Sequence, residues 1–311
     1  MRRFCLARDW RHRKQAFGHM QATGPQTILD RLAAELFTLP GELRKVARYI
    51  LDNPNEVAVA SARGLARATG TKPNSVVRLA RRLGFAGHEA LREVFRNDVR
   101  KGAVSFPDRA RWLQALSDEG RLGGLYGDMA ESAITNVEAT FAGTNAAAMQ
   151  AAARTICDAR EVYVLGVGIN HTIARNFTYL ADMAVNTMRT VPRDGTLAVD
   201  EVARAGPGDV LVAMTFHPYR VEVVEAVALA RRQGVTVIGI SDSAASPMVI
   251  GSEHAFIVPT ESPQFFTSTF SLLALMETLM AFVIAEAGTD VVSNIRNFHQ
   301  RRLELGLYVE G

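Results

Sequence analysis

Five short apolar runs in the second half of the chain constrain its fold more than any other feature. Most are continuous runs of apolar residues, which is typical of strands buried on both faces of a parallel sheet. Helical stretches separate or follow them, as expected for βαβ units. The sequence therefore predicts an open parallel sheet with strands at Val162–Gly166, about Thr187–Val191, Val210–Thr215, Val235–Ser241 and Ala255–Val258, and with helices at Thr172–Ala184, Pro218–Gln233 and Thr267–Glu286.

The first hundred residues show a helical period instead. Apolar residues recur three and four positions apart, and Leu39-Pro40-Gly41 and Asn53-Pro54 interrupt the pattern. This predicts a compact all-α bundle of five helices, at about 28–37, 43–51, 61–69, 73–83 and 88–99.

The third and fourth of these helices have the pattern of a helix-turn-helix. Ser61 is placed to cap the first, Gly70 supplies the turn, and Pro73 suits the first turn of the second helix. The second helix has an apolar stripe and, opposite it, a polar face that we expect to bind DNA: Lys72, Asn74, Ser75, Arg78, Arg81 and Arg82.

Residue type and position divide this polar face into two roles. The N-terminal residues of a recognition helix usually meet base edges, so Asn74, Ser75 and Arg78 are the expected readers. Lys72, Arg81 and Arg82 are expected to contact phosphates. The alternative is the solvated face of an ordinary surface helix.

The charge distribution favours a polyanionic partner for the first part only. Residues 1–120 carry 22 Lys and Arg against 12 Asp and Glu, which is 22 − 12 = +10. Residues 121–311 carry 13 against 20, which is 13 − 20 = −7. Double-stranded DNA is the partner that a basic helical domain predicts.

Changes in composition divide the chain into five segments. Residues 1–24 form a basic arm or an upstream start, 25–100 the helix-turn-helix domain, 101–125 a Gly-rich and charged linker, 126–290 the α/β domain, and 291–311 a C-terminal helix. The linker has room for a helical turn or two around Trp112 to Leu116.

Nothing in the composition points to secretion, a membrane or a metal. The N-terminus lacks an apolar run of signal-peptide length, and Cys5 and Cys157 are too few for a disulfide framework. The longest apolar run, Phe265–Ala287, has Glu277 in its middle, which favours a buried or subunit-interface helix over a membrane span. We expect a cytoplasmic protein without a cofactor.

The residues from Leu39 to Leu91 resemble the N-terminal domain of the RpiR family of bacterial transcription regulators. The likeness lies in LPGELRKVARYILDNPNEV and GLARATGTKPNSVVRLARRLGFAGHEALR, most specifically in Val-Val-Arg-Leu-Ala and Leu-Gly-Phe-x-Gly. From about Ala147 to Gly288 the chain resembles the sugar-isomerase (SIS) domain that follows in these regulators. The resemblance implies a five-stranded flavodoxin-like parallel sheet that binds a phosphosugar at the carboxyl ends of its strands.

Two ligand loops follow from the resemblance, after the first and the third strand. The first is Gly166-Val167-Gly168-Ile169-Asn170-His171, which a Rossmann dinucleotide site would also explain, although His171 replaces the third glycine. The second, Thr215 to Arg220, departs from the family pattern Ser-x-Ser-Gly followed by a hydroxyl residue. Pro218 donates no N–H there, and the loop has no glycine.

The usual mode of phosphosugar binding is therefore in doubt, and we expect an anion, either a phosphate or a carboxylate, between Arg220, His217 and a helix N-terminus. The alternative is that Arg220 pairs with Glu222, Glu253 or solvent. The expected effector residues are Gly166, Gly168, Asn170, His171, Thr215, His217, Tyr219, Arg220, Ser241, Ser243 and Ser268, the three serines being equally explained as cap or turn residues.

The sequence thus predicts a ligand-responsive transcription regulator that binds a DNA operator and a small anionic metabolite and, from the resemblance, forms a homodimer or a dimer of dimers. One alternative is a phosphosugar isomerase that uses His171 or His217 with Glu261 as acid and base. The other is a structural DNA-binding protein with a vestigial sensor domain.

Overall fold

The computed structural model describes residues 24–100, 105–118 and 120–308. The expected basic arm, apart from Gly24, lies outside the described residues. Contacts divide the chain into two compact units, one up to Leu125 together with Pro263–Phe266, and the other from Tyr126 to Ser262 and from Thr267 onward.

The first unit is entirely helical in its described part. Its core consists of buried aliphatic side chains from every helix, among them Leu43, Val46, Leu65 and Leu79. Its helices are α1 (Pro25–Glu35), α2 (Gly41–Asp52), α3 (Pro54–Val59), α4 (Ala62–Ala68), α5 (Pro73–Arg82), α6 (His88–Arg100) and α7 (Phe106–Asp118), with a 3-10 turn at Leu36–Thr38.

Helix α7 differs from the linker that the sequence predicts over 101–125. Trp112 and Leu116 are 2% and 4% exposed and belong to the same core as α2 and α5. The stretch looked weakly periodic because few apolar residues define its inner face. Two large ones are enough to fix a short helix onto an existing core. Helix α3 also differs from the sequence analysis, which assigned no helix to Val57–Val59.

The second unit contains a five-stranded parallel sheet, which confirms the predicted flavodoxin-like fold. Its strand order is β2-β1-β3-β4-β5, and every neighbouring pair is parallel. The strands are β1 (Val162–Gly166), β2 (Met188–Val191), β3 (Val210–Met214), β4 (Thr236–Ser241) and β5 (His254–Ile257). The order reverses between β1 and β3, the switch point at which open sheets bind ligands.

Helices cover both faces of the sheet. Val162, Val164 and Val212 point to one face, where α9, α10 and α13 pack, and Tyr163 and Leu165 point to the other, where α11 and α12 pack. These helices and their neighbours are α8 (Leu122–Gly143), α9 (Ala146–Cys157), α10 (Ile169–Asp182), α11 (Ala198–Val202), α12 (Val221–Arg232), α13 (Phe270–Glu286) and α14 (Asp290–Glu304).

Helix α13 carries the long apolar run of the sequence. Leu275, Met276 and Leu279 are buried in the chain's own core, and Glu277 is exposed on the opposite side. Within the described residues no single helix is long and apolar enough to cross a membrane. In the part of the chain that the structure describes, one pair of consecutive helices, α13 and α14, is long and apolar enough when taken together, but the two are bent by 117°.

Candidate functional site

Helices α4 and α5 have the local structure that the helix-turn-helix pattern predicts. The Ser61 hydroxyl accepts a hydrogen bond from Gly64 N at 3.1 Å and so caps α4. Gly70 has φ +63°, a conformation that glycine adopts without steric cost, and Pro73 begins α5. Val76, Leu79 and Ala80 are buried, so the opposite face of α5 is directed to solvent.

The structure exposes five of the six predicted DNA-binding residues. Lys72, Asn74, Arg78, Arg81 and Arg82 lie on the solvent side of α5 or at its N-cap. Ser75 does not, because its side chain is on the buried side of the helix and is only 9% exposed. This burial disfavours the predicted contact between Ser75 and bases, which needs an exposed side chain.

The exposed arginines differ in how firmly they are held. Arg82 Nε lies 3.3 Å from Glu35 Oε2, and Arg81 Nε donates to Ala86 O at 3.4 Å. Hydrogen bonds from Arg31 and then from Arg82 lower the pKa of Glu35. Arg78, by contrast, makes no side-chain hydrogen bond or ion pair with any residue that the structure describes. It is therefore available to an external partner at no cost in internal contacts.

Helix α4 adds two cationic residues that the sequence analysis did not select. Arg63 and Arg67 are exposed, one turn apart, on the helix that precedes the turn. The first helix of such a motif crosses the DNA backbone, so their positions suit phosphate contacts. Their spacing on a helix with buried Leu65 and Ala66 was the signal that could have identified them.

The first ligand loop in the second unit is tightly packed against α10. A Cβ added to Gly166 would lie 2.4 Å from Asn170 O, so only glycine fits where β1 ends. Gly168, with φ +63°, is the N-cap of α10. The His171 ring binds back to the strand, with Nδ1 3.2 Å from Gly166 O. If Nδ1 donates this bond, Nε2 is left to face other groups.

Asn170 occupies the most unusual position in this loop. Its side chain is 7% exposed, and its Oδ1 has no hydrogen-bond partner among the described residues. Buried polar atoms in folded proteins nearly always have a partner, either in the chain or in a bound molecule. Asn170 Oδ1 is thus a buried acceptor without a partner among the described residues, at the start of α10.

The second ligand loop is already satisfied by contacts within the chain. Thr215 Oγ1 accepts a hydrogen bond from Arg220 N at 3.2 Å, and Thr215 O accepts one from the buried Ser241 hydroxyl at 2.7 Å. His217 N donates to Asp242 Oδ2 at 3.1 Å. Asp242, which the sequence analysis did not select, thus holds an N–H that a phosphate would otherwise bind.

The side chains of this loop also have partners within the chain. The His217 and Tyr219 rings meet edge to face at 5.8 Å. Burial and then the Asp242 carboxylate raise the pKa of Tyr219. Arg220 Nη2 pairs with Glu222 Oε1 at 2.6 Å, with both side chains about half exposed. This is the alternative that the sequence left open for Arg220.

The remaining candidates have the local roles of turn and cap residues. Ser243 Oγ accepts a hydrogen bond from Ala245 N at 3.1 Å, and Ser268 Oγ accepts one from Phe270 N at 3.4 Å at the start of α13.

Glu261, the carboxylate of the isomerase alternative, is exposed, and its backbone oxygen accepts hydrogen bonds from Ser132 and Asn136. Among the described residues, no group of three His, Cys, Asp or Glu side chains is arranged to hold a metal ion.

Comparison with known proteins identifies both halves of the chain. Residues 26–101 match the helix-turn-helix domain of the rpiR family, and residues 155–285 match the SIS domain. The chain belongs to the RpiR family of transcriptional regulators. The resemblance stated from the sequence is thereby confirmed.

Similar proteins match this chain over most of their length. An uncharacterised HTH-type transcriptional regulator of Caldanaerobacter subterraneus is 26% identical over 81% of this chain and 89% of its own length. The HTH-type transcriptional regulator HexR of Pseudomonas aeruginosa is 23% identical over 88% of this chain and 95% of its own length. Because these relatives are named as regulators with a DNA-binding domain, the chain is a regulator rather than an enzyme.

Two solved structures share the fold. The NanR protein of Vibrio vulnificus, complexed with ManNAc-6P, is 22% identical, covers 89% of this chain and 98% of its own, and has a TM-score of 0.52. The sugar isomerase domain of an RpiR transcription factor from Sphaerobacter thermophilus is 22% identical, covers 57% of this chain and 98% of its own, and has a TM-score of 0.53.

Proposed function

We propose that this RpiR-family regulator binds a DNA operator through α5 and α4, and that a small metabolite bound to its SIS domain controls this binding. The observation that carries the DNA part is the face of α5 opposite its buried stripe. There Asn74 and Arg78 are exposed, Lys72 lies at the N-cap, and Arg78 has no competing partner within the described residues.

The proposed division of roles follows from these contacts. Asn74 and Arg78 read base edges, because an amide and an unpaired guanidinium can each form two parallel hydrogen bonds to a purine. Lys72, Arg81 and Arg82 contact phosphates, and so do Arg63 and Arg67 on α4. To contact a phosphate, Arg82 must break its ion pair with Glu35, which lies at the surface. This loss destabilises the protein little, since surface ion pairs contribute little to stability.

The effector is proposed to be a small anionic metabolite, a phosphosugar or a carboxylate. Its site is proposed to include the carboxyl end of β1, next to the point where the strand order reverses. The buried Oδ1 of Asn170, which has no hydrogen-bond partner among the described residues, supports this location. The structure of NanR, whose fold is similar and which is complexed with ManNAc-6P, supports a phosphosugar as one kind of effector.

We also propose that the regulator acts as a homodimer or a dimer of dimers in the cytoplasm. Paired helix-turn-helix domains read half-sites one helical turn apart, so a symmetric assembly matches a palindromic operator. Large apolar side chains on α8 are exposed and suit contact with a second copy: Tyr126, Ile134 and Phe141.

Gel-shift titration of the full chain on its own upstream DNA tests the DNA part. Arg78→Ala should weaken specific binding by about tenfold to a hundredfold, as expected for loss of one two-bond base contact. Arg48→Ala removes another exposed arginine, from α2, and serves as the control. No sequence-specific binding by the wild type, or equal effects of both substitutions, would refute the assignment.

A thermal-shift screen with sugar phosphates and sugar acids tests the sensor part. A true effector should raise the melting temperature of the SIS domain and also change the gel-shift midpoint, because a ligand that controls DNA binding must bind the two states with different affinity. Stabilisation without any change in DNA binding would contradict ligand control.

A further inference from the structure

An open groove of about 870 Å³ lies beside α10 and the edge strand β2. His171, Arg175 and Tyr179 line it from successive turns of α10, and Arg193 lines it from the loop after β2. Its size is that of a pocket for a small metabolite. His171 connects it to the proposed effector site, because the same ring is hydrogen-bonded to Gly166 O at the end of β1.

The walls of the groove are held in place by buried polar contacts. Glu201, 2% exposed, accepts hydrogen bonds from Arg193 N at 2.7 Å and Arg193 Nε at 2.9 Å, and it also accepts one from the Thr196 hydroxyl. On the other side, the Thr178 and Thr190 hydroxyls are 2.6 Å apart and join α10 to β2. A groove with fixed walls needs little reorganisation to bind a ligand.

The cations that line the groove differ in how far the chain neutralises them. Arg189 pairs with Glu161, and Arg193 pairs through Nε with Glu201. The Arg175 side chain is exposed to the groove and makes no hydrogen bond or ion pair with any described residue. Asp182 and Asp194 also line the groove and are suited to accept bonds from hydroxyl groups of a ligand.

The loop after β3 is a poor alternative for the acidic group of a ligand. Its N–H groups at His217 and Arg220 are bound to Asp242 and Thr215, and Pro218 has none. The Asp242 carboxylate would repel an anion placed there, and Arg220 already has Glu222. Asp182 and Asp194 also line the groove of Arg175, but the Arg175 side chain is not paired with a carboxylate among the described residues and so remains free to bind the acidic group.

We propose that the groove beside α10 and β2 binds the effector, a small polyhydroxylated metabolite with one acidic group, and that Arg175 holds this acidic group. This inference rests on the proposed function and adds the residue that recognises the acid. Arg175 forks onto a phosphate or carboxylate, while His171, Asn176, Thr196 and the two aspartates contact hydroxyl groups.

The test compares the same substitution at the two candidate arginines in the full chain. Arg175→Gln and Arg220→Gln each remove one exposed guanidinium and retain a polar side chain of similar length. Binding of inorganic phosphate, D-glucose 6-phosphate and D-gluconate is measured by isothermal titration calorimetry at low ionic strength. These probes separate phosphate from carboxylate recognition.

Arg175→Gln should weaken binding of the recognised probe by about tenfold to a hundredfold, the loss expected for charge-assisted hydrogen bonds, and Arg220→Gln should leave it unchanged. Arg175→Lys keeps the positive charge but cannot form two parallel hydrogen bonds to the acidic group, so this variant should bind the probe with intermediate affinity. Loss of binding in Arg220→Gln alone would overturn the proposal, and so would the absence of binding of all three probes to the wild type.

Gel shifts without probe separate this inference from the proposed function. Arg175→Gln should bind DNA as the wild type does, since Arg175 lies in the second unit and its side chain makes no hydrogen bond or ion pair with a described residue. Normal DNA binding together with unaltered probe binding in Arg175→Gln would refute the groove and leave the regulator assignment intact.

Discussion

Leu116→Ala gives a sharp test of whether α7 belongs to the DNA-binding domain. Leu116 is 4% exposed and lies in the core of the first unit with Trp112, so its truncation removes buried methyl groups and leaves a cavity. Such changes cost about 2–5 kcal/mol. With a urea m-value of about 2 kcal/mol/M, the unfolding midpoint should fall by about 1–2.5 M.

Tryptophan fluorescence follows this unit selectively. The chain has two tryptophans, Trp10 and Trp112, so a Trp10→Phe background leaves only the buried one. Gln114→Ala is the matched control, because Gln114 is exposed on the same helix and its loss should change stability little. If Leu116→Ala unfolded at the same urea concentration as Gln114→Ala, α7 would be a linker helix without a role in the core.

Three further outcomes are expected. Arg67→Ala should reduce the slope of log K against log salt for DNA binding by about 0.9 without changing sequence preference, as measured by gel shifts over a salt series. Gly166→Ala should lower the melting temperature and abolish the ligand-induced thermal shift, because the added Cβ would lie 2.4 Å from Asn170 O. Gly123→Ala is the control and should do neither, because a Cβ added there would have no atom within 4 Å. Burial opposes ionisation of Glu201, but hydrogen bonds from Arg193 and Thr196 outweigh it and hold its pKa below the ordinary value. A pKa that is lowered in the folded state stabilises the protein at pH values above the unfolded-state pKa, and this stability is lost as the pH falls through the folded-state pKa. Glu201→Gln should therefore have a lower free energy of unfolding than the wild type at neutral pH. Its free energy of unfolding should also decrease less on acidification.

The sheet was predictable from the sequence because its strands are buried on both faces. Each of the five observed strands lies within one or two residues of a predicted apolar run. Helix α7 was not predictable as part of the core, since its packing depends on contacts of Trp112 and Leu116 with residues far away in sequence. For the same reason the burial of Ser75 was not predictable: polar residues follow one another at the start of α5, and only the packed bundle shows which of them face inward.

The loop after β3 shows why the effector site was harder to predict than the fold. Its sequence shows which groups are missing, namely a glycine and the N–H of Pro218. It does not show that His217 N is bound by a carboxylate 25 residues away, because that contact exists only once β3 and β4 lie side by side. A substituted ligand loop can therefore mean either a different ligand in the same place or the same kind of ligand bound elsewhere. The satisfied N–H groups at Thr215 to Arg220 and the unpaired Arg175 favour the second explanation, in which the acidic group is bound on the β2 side of the sheet.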